Sequence, residues 1–404
     1  MKTRKPGTGK VKNPKGAKDI YAMRKRKKRK RVLQQSIFLL LLSMTILILY
    51  QRRDSWIPKL ETIGTRHQSR RQGDGTEQDG NFPISIFGET EYQTGKAGES
   101  LLVLNDSYLF VYDTDGSLES ARQHAYGGAM LRDAGDYALV YEYGGTSFRL
   151  DTEAKMRYEK KVNDPIIFGR VSGDGTVALV TNAESCACKL LVFNVKGQQF
   201  YERDCVERIA DISFCPDGSG CIAISTETDE GALKSVVHSY SFSQKEDVWT
   251  SQPLDMLAIS VYNTNDGNVF VLGDTACCYF SADGVLTGSY VYPDTLQRAA
   301  FSDGIAALVL SNHEKRTETV VILNGSADAR TQRTYEKTVM DLGIEPEKQT
   351  VTVLFRNQIE VLDPACTVLG TAPVTDSCDG FRRIGGYLFL KGYNHIGRMD
   401  DPGF

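Results

Sequence analysis

Seven times between residues 112 and 363 an apolar, strand-like run ends at a turn-forming residue: Tyr112-Asp113, Leu150-Asp151, Phe193-Asn194, Phe242-Ser243, Phe280-Ser281, Leu323-Asn324 and Leu362-Asp363. The junctions lie 38, 43, 49, 38, 43 and 39 residues apart, about 42 on average. One four-stranded propeller blade has that length, so the spacing predicts small sheets repeated about an axis. A pair of packed sheets, the competing all-β arrangement, has no reason to keep so even a period.

The local pattern agrees. Tyr108–Tyr112, Leu190–Phe193, Val269–Leu272, Val320–Leu323 and Val351–Phe355 are short, rich in β-branched and aromatic residues, and bounded by Gly, Asp and Asn. No stretch after residue 80 offers three turns of amphipathic helix. The 324 residues from Asn81 to Phe404 hold about 7.8 such units, which favours eight blades with seven as the alternative. Phe381–Ile384, Tyr387–Lys391 and His395–Met399 supply three strands of a last blade, and Phe82–Phe87 is expected to supply its fourth, leaving no open edge.

Ahead of the β-rich part the composition changes abruptly. Residues 1–31 hold 15 Lys/Arg and one acid, ending in eight consecutive cations from Arg24 to Arg31. Val32–Tyr50 follows, 19 residues without a charge, which as a helix span about 28 Å, close to the thickness of a bilayer core. Tyr50-Gln51-Arg52-Arg53-Asp54 lacks the small residues of a cleavage site, so the span reads as an uncleaved transmembrane signal anchor. The cationic flank places the N-terminus in the cytoplasm and the bulk outside the cell membrane, with the basic tail against anionic lipid headgroups. A nuclear-localisation or nucleic-acid reading of that run is disfavoured because the apolar span starts on the next residue. The expected organisation is a basic tail (1–31), a single span (32–50), a polar spacer (51–80) and an extracytoplasmic propeller (81–404). The last part carries 27 Lys/Arg against 45 Asp/Glu, a charge of −18. That charge argues against nucleic acid and favours cationic or neutral partners.

Phe214-Cys215-Pro216-Asp217-Gly218-Ser219 resembles the Phe-Ser-Pro-Asp-Gly turn of WD-repeat and TolB-like propellers, with weaker copies at Gly173-Asp174-Gly175 and Ala282-Asp283-Gly284. Trp-Asp dipeptides and regular Gly-His pairs are absent. With its tail, anchor, spacer and propeller, the whole chain resembles a family of single-pass, membrane-anchored propeller proteins from low-GC Gram-positive bacteria. The resemblance implies an extracytoplasmic propeller and brings no catalytic residues.

The residues themselves offer little chemistry. All nine cysteines lie beyond residue 185. Cys186-Ala187-Cys188 is short of zinc-ligand spacing and reads as a packed or exposed thiol pair sharing one strand face. Cys215 and Cys221 flank a tight turn, where a disulfide is the alternative to two small buried hydrophobes. Asp113-Thr114-Asp115-Gly116 begins like a calcium loop but lacks its closing Glu, so a hairpin turn is the expectation, as for Asp174-Gly175, Asp217-Gly218 and Asp283-Gly284. His67, His124, His238, His313 and His395 are scattered, and a Ser/His/Asp site is conceivable only by assembly in space. Asp229-Glu230 and Glu246-Asp247 are unremarkable in an acidic domain. Gly127-Gly128 and Gly144-Gly145 lack the strand-to-helix setting of a phosphate loop. Asn105 and Asn324 match glycosylation sequons and read as turn formers, unless the chain is a type II protein of a eukaryotic secretory pathway.

No catalytic, metal-binding or cofactor-binding residue is assigned, and no cofactor is expected. The sequence points to a binding scaffold at the cell envelope, engaging a protein, peptide or glycan, more than to an enzyme. The alternative is an envelope hydrolase acting on glycan or peptide at the propeller channel.

Overall fold

The computed structural model describes residues 81–86, 91–229, 231–374 and 378–402. The basic tail, span and spacer expected over residues 1–80 lie outside the described residues. Among those described, no helix is long and apolar enough to cross a membrane.

The described chain forms eight four-stranded antiparallel sheets. A first short strand, β1 (Ile84–Ser85), belongs to the last of them. Blade 1 is β2 (Gln93–Ala97), β3 (Ser100–Leu104), β4 (Tyr108–Tyr112) and β5 (Leu118–Gln123). Blade 2 is β6 (Ala129–Ala134), β7 (Tyr137–Glu142), β8 (Ser147–Thr152) and β9 (Met156–Lys161). Blade 3 is β10 (Ile166–Val171), β11 (Val177–Thr181), β12 (Cys188–Phe193) and β13 (Gln199–Cys205). Blade 4 is β14 (Arg208–Phe214), β15 (Gly220–Asp229), β16 (Ala232–Ser241) and β17 (Asp247–Thr250). Blade 5 is β18 (Ala258–Asn263), β19 (Val269–Gly273), β20 (Ala276–Phe280) and β21 (Leu286–Val291). Blade 6 is β22 (Thr295–Ser302), β23 (Ile305–Asn312), β24 (Thr317–Asn324) and β25 (Arg330–Tyr335). Blade 7 is β26 (Val339–Glu345), β27 (Thr350–Phe355), β28 (Gln358–Leu362) and β29 (Val368–Pro373). Blade 8 is β30 (Cys378–Ile384), β31 (Tyr387–Gly392) and β32 (His395–Asp400), completed by β1 through Ile84↔Ile396 and Ser85↔His395.

The blade number is therefore eight, and the seven-blade alternative is excluded. The seven sequence junctions mark the turn between third and fourth strands in blades 1–7. Blade 8 has no such turn because its fourth strand arrives from the other end of the chain.

Eight apolar clusters hold the ring, one at each blade interface. Leu102, Leu104, Leu131 and Val140 join blades 1 and 2, for instance, while Leu101, Val103, Ile384 and Phe389 join blades 8 and 1. Successive residues of β3 thus enter different interfaces, because side chains alternate across a strand and both faces of the sheet are covered. This is why the central strands read as continuous apolar runs: β11 and β27 are buried at every position, whereas the outer strand β9 is largely exposed.

Neighbouring blades are also fastened at their rims. Outer-strand side chains donate to carbonyls in the next blade's third-to-fourth-strand turn: Arg122 to Thr152 at 2.6 Å, Trp249 to Ala282 at 3.0 Å and Thr331 to Pro364 at 2.6 Å. Arg203 does the same to Lys245. Arg398 of β32 closes the circle on Thr114 of blade 1 at 2.7 Å. At Gly116 the turn has φ +79°, and a Cβ there would lie 2.9 Å from the Phe82 ring. Both the left-handed conformation and the close approach require glycine.

Candidate functional site

Contacts between blades concentrate on their first strands, so these strands surround the axis. Every first strand except β18 carries a charged side chain in phase with the repeat: Lys96, Arg132, Arg170, Asp211, Arg298, Asp341 and Arg382. Asp133 adds an eighth. The carboxylates link blades. Asp211 Oδ1 accepts from Arg170 Nε at 2.8 Å, and its Oδ2 accepts from the Val261 amide at 3.1 Å, so one side chain ties blades 3, 4 and 5. Asp341 Oδ2 accepts from the Phe381 amide of blade 8 at 3.0 Å. Burial pushes Asp341 and Asp133 above the ordinary carboxylate range, opposed at Asp133 by the charges of Arg382, Lys96 and Arg132 from three blades. Lys96, Arg298 and Arg382 form no ion pair within 4 Å among the described residues. These eight first-strand positions thus hold five cations and three carboxylates in an otherwise acidic domain.

A cleft of about 740 Å³ opens beside the axis between blades 3, 4 and 5. It lies at the end built from first-to-second-strand and third-to-fourth-strand turns, called here the turn end. Arg170, Asp211, Phe214, Tyr262, Asp174 and Asp217 are among its walls. The last two carboxylates serve their own turns: Asp174 Oδ1 accepts from the Thr176 amide at 3.0 Å, and Asp217 Oδ1 from the Ser219 amide at 3.0 Å. A second cleft of about 420 Å³ lies at the opposite, loop end between blades 1 and 2, and includes Asn105, Tyr126, Gly127 and Gly128.

A Ser/His/Asp constellation does exist. It assembles within blade 4 rather than from separate blades. Ser225 Oγ on β15 lies 2.9 Å from His238 Nε2 on β16, and His238 Nδ1 lies 2.9 Å from Asp247 Oδ2 on β17. With the carboxylate on Nδ1, that nitrogen carries the proton and Nε2 accepts the serine hydroxyl. The distances match those of a nucleophile, base and orienting acid. Access does not: Ser225 is 2% exposed and His238 8%, and neither cleft reaches any of the three. Asp247 is also held by Thr250 Oγ1 at 3.0 Å and by Arg203, which lies 4.1 Å over the Tyr240 ring. Burial raises the Asp247 carboxyl, but the bonds from His238 and Thr250 and the Arg203 charge outweigh it, leaving it below the ordinary value. The chain is a sealed polar brace between three strands and the adjoining blade.

The other singled-out residues resolve as follows. No disulfide joins any of the nine cysteines. The Cys215–Cys221 disulfide does not form, because the register pairs Phe214 with Cys221 and leaves Cys215 beyond the strand end. Cys186 and Cys188 do not share a strand face, since β12 begins at Cys188. Asp113 and Asp115 accept from the Thr114 and Ser117 amides at 2.6 and 2.7 Å, the hairpin-turn arrangement. Among the described residues no three His, Cys, Asp or Glu side chains are grouped to hold a metal. Asn105 Oδ1 accepts from the Ser107 and Tyr108 amides, and His124 Nε2 lies 2.9 Å from the Asn105 carbonyl oxygen. The two glycine pairs take part in no phosphate-loop geometry: Gly127 sits on Glu142 and Gly144 is bonded to Ile166. His313 lies in the turn after β23 and His395 opens β32, apart from each other and from His238. His67 and Glu230 lie outside the described residues. The axial charges were not singled out in the sequence, although their recurrence in seven of the eight first strands, 36–43 residues apart except across blade 5, was available there.

Residues 76–363 match the model of a family described as a family of unknown function (DUF5711). The chain belongs to this family. The match spans blades 1–6 and most of blade 7. DUF5711 thus has an eight-bladed all-β propeller in this member. No curated protein matches the sequence. Among solved structures, BamB from Moraxella catarrhalis is similar, at 11% identity and TM-score 0.54, over 79% of this chain and 98% of that one. The computationally designed Ika8 protein is similar at 11% identity and TM-score 0.57, over 78% of this chain and 98% of that one. At such identities the likeness concerns the fold alone.

Proposed function

We propose that this DUF5711 propeller is a binding scaffold held at the outer face of a cell membrane by the residue 32–50 span, its loop end docking an envelope protein. The observation that carries the reading is the character of that end. Among the described residues, the four most exposed large apolar side chains are Val206 (83%), Tyr393 (82%), Val291 (71%) and Tyr143 (64%), in second-to-third-strand turns or fourth-to-first-strand connections except Val291, which closes the fourth strand β21. They come from different blades and ring the loop end, where their exposure has no folding benefit; such apolar exposure supports a protein partner. The blades behind them, locked by eight apolar interfaces, present this rim without rearrangement, which lowers the entropic cost of docking. For the alternative, an envelope hydrolase at the channel, the axial carboxylates Asp133 and Asp341 raised by burial speak in favour, whereas the sealed serine of blade 4 does not.

The test is photo-crosslinking in native membranes from Val206 and Tyr393 replaced by a photoreactive phenylalanine. A discrete adduct from these positions, absent from a control at Glu202 on the outer edge, supports the scaffold. Failure to form any adduct, together with hydrolysis of an envelope substrate by residues 81–404, overturns it. Protease added to intact cells is expected to cut near Arg70-Arg71, and full protection overturns the outward orientation.

A further inference from the structure

Blade 3 places two thiols face to face. Cys188 opens β12, Cys205 closes β13, and the two are direct cross-strand partners. Directly opposed residues of an antiparallel pair have Cβ atoms about 4.5–5.5 Å apart, and a disulfide needs about 3.5–4.5 Å. A shift on the order of 1 Å therefore suffices. Both residues sit at a strand end, where such a shift disturbs little of the ladder. Both are buried, while Cys186, two residues before Cys188 in the adjoining loop, is half-exposed. The Cys186 sulfur lies 3.3 Å from the Cys188 carbonyl oxygen and 3.8 Å from Asp204 Oδ1, the residue next to Cys205.

We infer that Cys188 and Cys205 form a dithiol–disulfide site, reached by small-molecule disulfides through the half-exposed thiol of Cys186. The step balances without a further reactant. The Cys186 thiolate attacks a disulfide RSSR, the S–S bond breaks, a mixed disulfide forms and RS⁻ leaves. A neighbouring thiolate of the pair attacks the Cys186 sulfur and expels the second RS⁻. The remaining thiolate then attacks the Cys of the pair that is bonded to Cys186 and releases Cys186 as a thiolate. Two protein thiols are oxidised, one RSSR is reduced to two RSH, and the two protons lost by the pair end on RSH.

The surroundings fit this order. Cys188 is the readier thiolate: Cys205 beside it, with help from the Ile209 amide and the Arg208 charge, lowers it against the effect of burial. Cys205 is pushed up by its bond to Cys188 and by burial, and so remains the protonated partner. The Ile209 amide is 3.5 Å from the Cys188 sulfur. The remaining cysteines lack this arrangement. Cys277 and Cys278 are neighbours in sequence on opposite faces of β20, Cys215 and Cys221 are out of register, and Cys366 and Cys378 lie in blades 7 and 8.

The reduced full-length protein in detergent is treated with hydroxyethyl disulfide at pH 7.5, quenched with acid, alkylated in denaturant and mapped by peptide mass spectrometry. The expected product is a single Cys188–Cys205 disulfide, with the other thiols alkylated. Cys186→Ala is expected to give the same product at least tenfold more slowly. Cys205→Ser is expected to stop at adducts of the reagent or at a Cys186–Cys188 bond. The wild-type map alone decides the site: Cys188 and Cys205 both alkylated after Cys186 has reacted, or a disulfide elsewhere, overturns the inference. An unchanged rate in Cys186→Ala removes Cys186 from the route. Neither readout depends on whether the loop end binds a partner.

Discussion

Replacing Arg170 is expected to harm the propeller more than replacing Arg170 and Asp211 together. The Asp211 side chain is 3% exposed and that of Arg170 33%, so the two partners are not equivalent. Arg170→Ala leaves a buried carboxylate with the Val261 amide as its remaining partner. Breaking a buried pair in this direction costs about 3–5 kcal/mol, and the partial exposure of Arg170 places the expectation near the low end, about 3 kcal/mol. Asp211→Asn removes the buried charge but keeps a carbonyl oxygen for the Val261 amide, while the guanidinium turns to water, at roughly 1–2 kcal/mol. In the double variant nothing charged remains to be satisfied, so its cost is also roughly 1–2 kcal/mol. For a domain of this size each kcal/mol lowers the melting temperature by roughly 2 °C. Calorimetry on residues 81–404 should therefore place Arg170→Ala about 6 °C below wild type and the double variant about 2–4 °C below. A double variant at or below Arg170→Ala refutes the reasoning, because it means that the carboxylate is not the liability once its partner has gone.

Other outcomes follow from the same geometry. A fluorophosphonate probe is expected to leave Ser225 unlabelled in the folded protein, and labelling there shows that the brace is open. Gly284 has φ +80° and packs on Trp249, so Gly284→Ala should cost more than 1 kcal/mol, and less in a Trp249→Ala background; equal costs in both dispense with the packing argument. Because the folded Asp247 carboxyl is lowered, its contribution is fully present above the unfolded value of 3.8 and is lost as pH falls through the folded value. Asp247→Asn should accordingly narrow its stability deficit on acidification below about pH 4, as read from melting temperatures between pH 3 and 6. Citrate is expected to raise the melting temperature through the cationic axis, and the Lys96→Ala/Arg382→Ala variant should lose that gain; a gain kept in full places the anion elsewhere.

The ring was legible because its signals are local. A turn such as Asp113–Ser117 announces itself in five residues, and its recurrence counts blades without knowledge of any long-range contact. The closing strand was legible for the same reason, through a shortage of one strand at one end and a surplus at the other. What sequence could not supply was register. Ser225, His238 and Asp247 meet because β15 and β16 pair Ala223 with His238 and a bulge in β17 sets Asp247 beside Tyr240. A shift of one residue turns a side chain to the other face. The same dependence separates the two cysteine pairs: Cys215 and Cys221 are near in sequence yet miss by one position, whereas Cys188 and Cys205 are 17 residues apart and coincide. Burial was equally hidden, and it decides that the Ser/His/Asp chain is a brace.

The fourth strand of blade 8 is two residues long and is the first described strand of the chain. Any mechanical load arriving from the N-terminal side therefore enters the ring at its thinnest seam, through the pairing of Ile84 and Ser85 with β32 and the packing of Phe82 on Phe389. Pulling from that side would peel β1 away before it strained any blade built from one continuous stretch, so the closure of the circle and its breaking point under tension are the same few contacts.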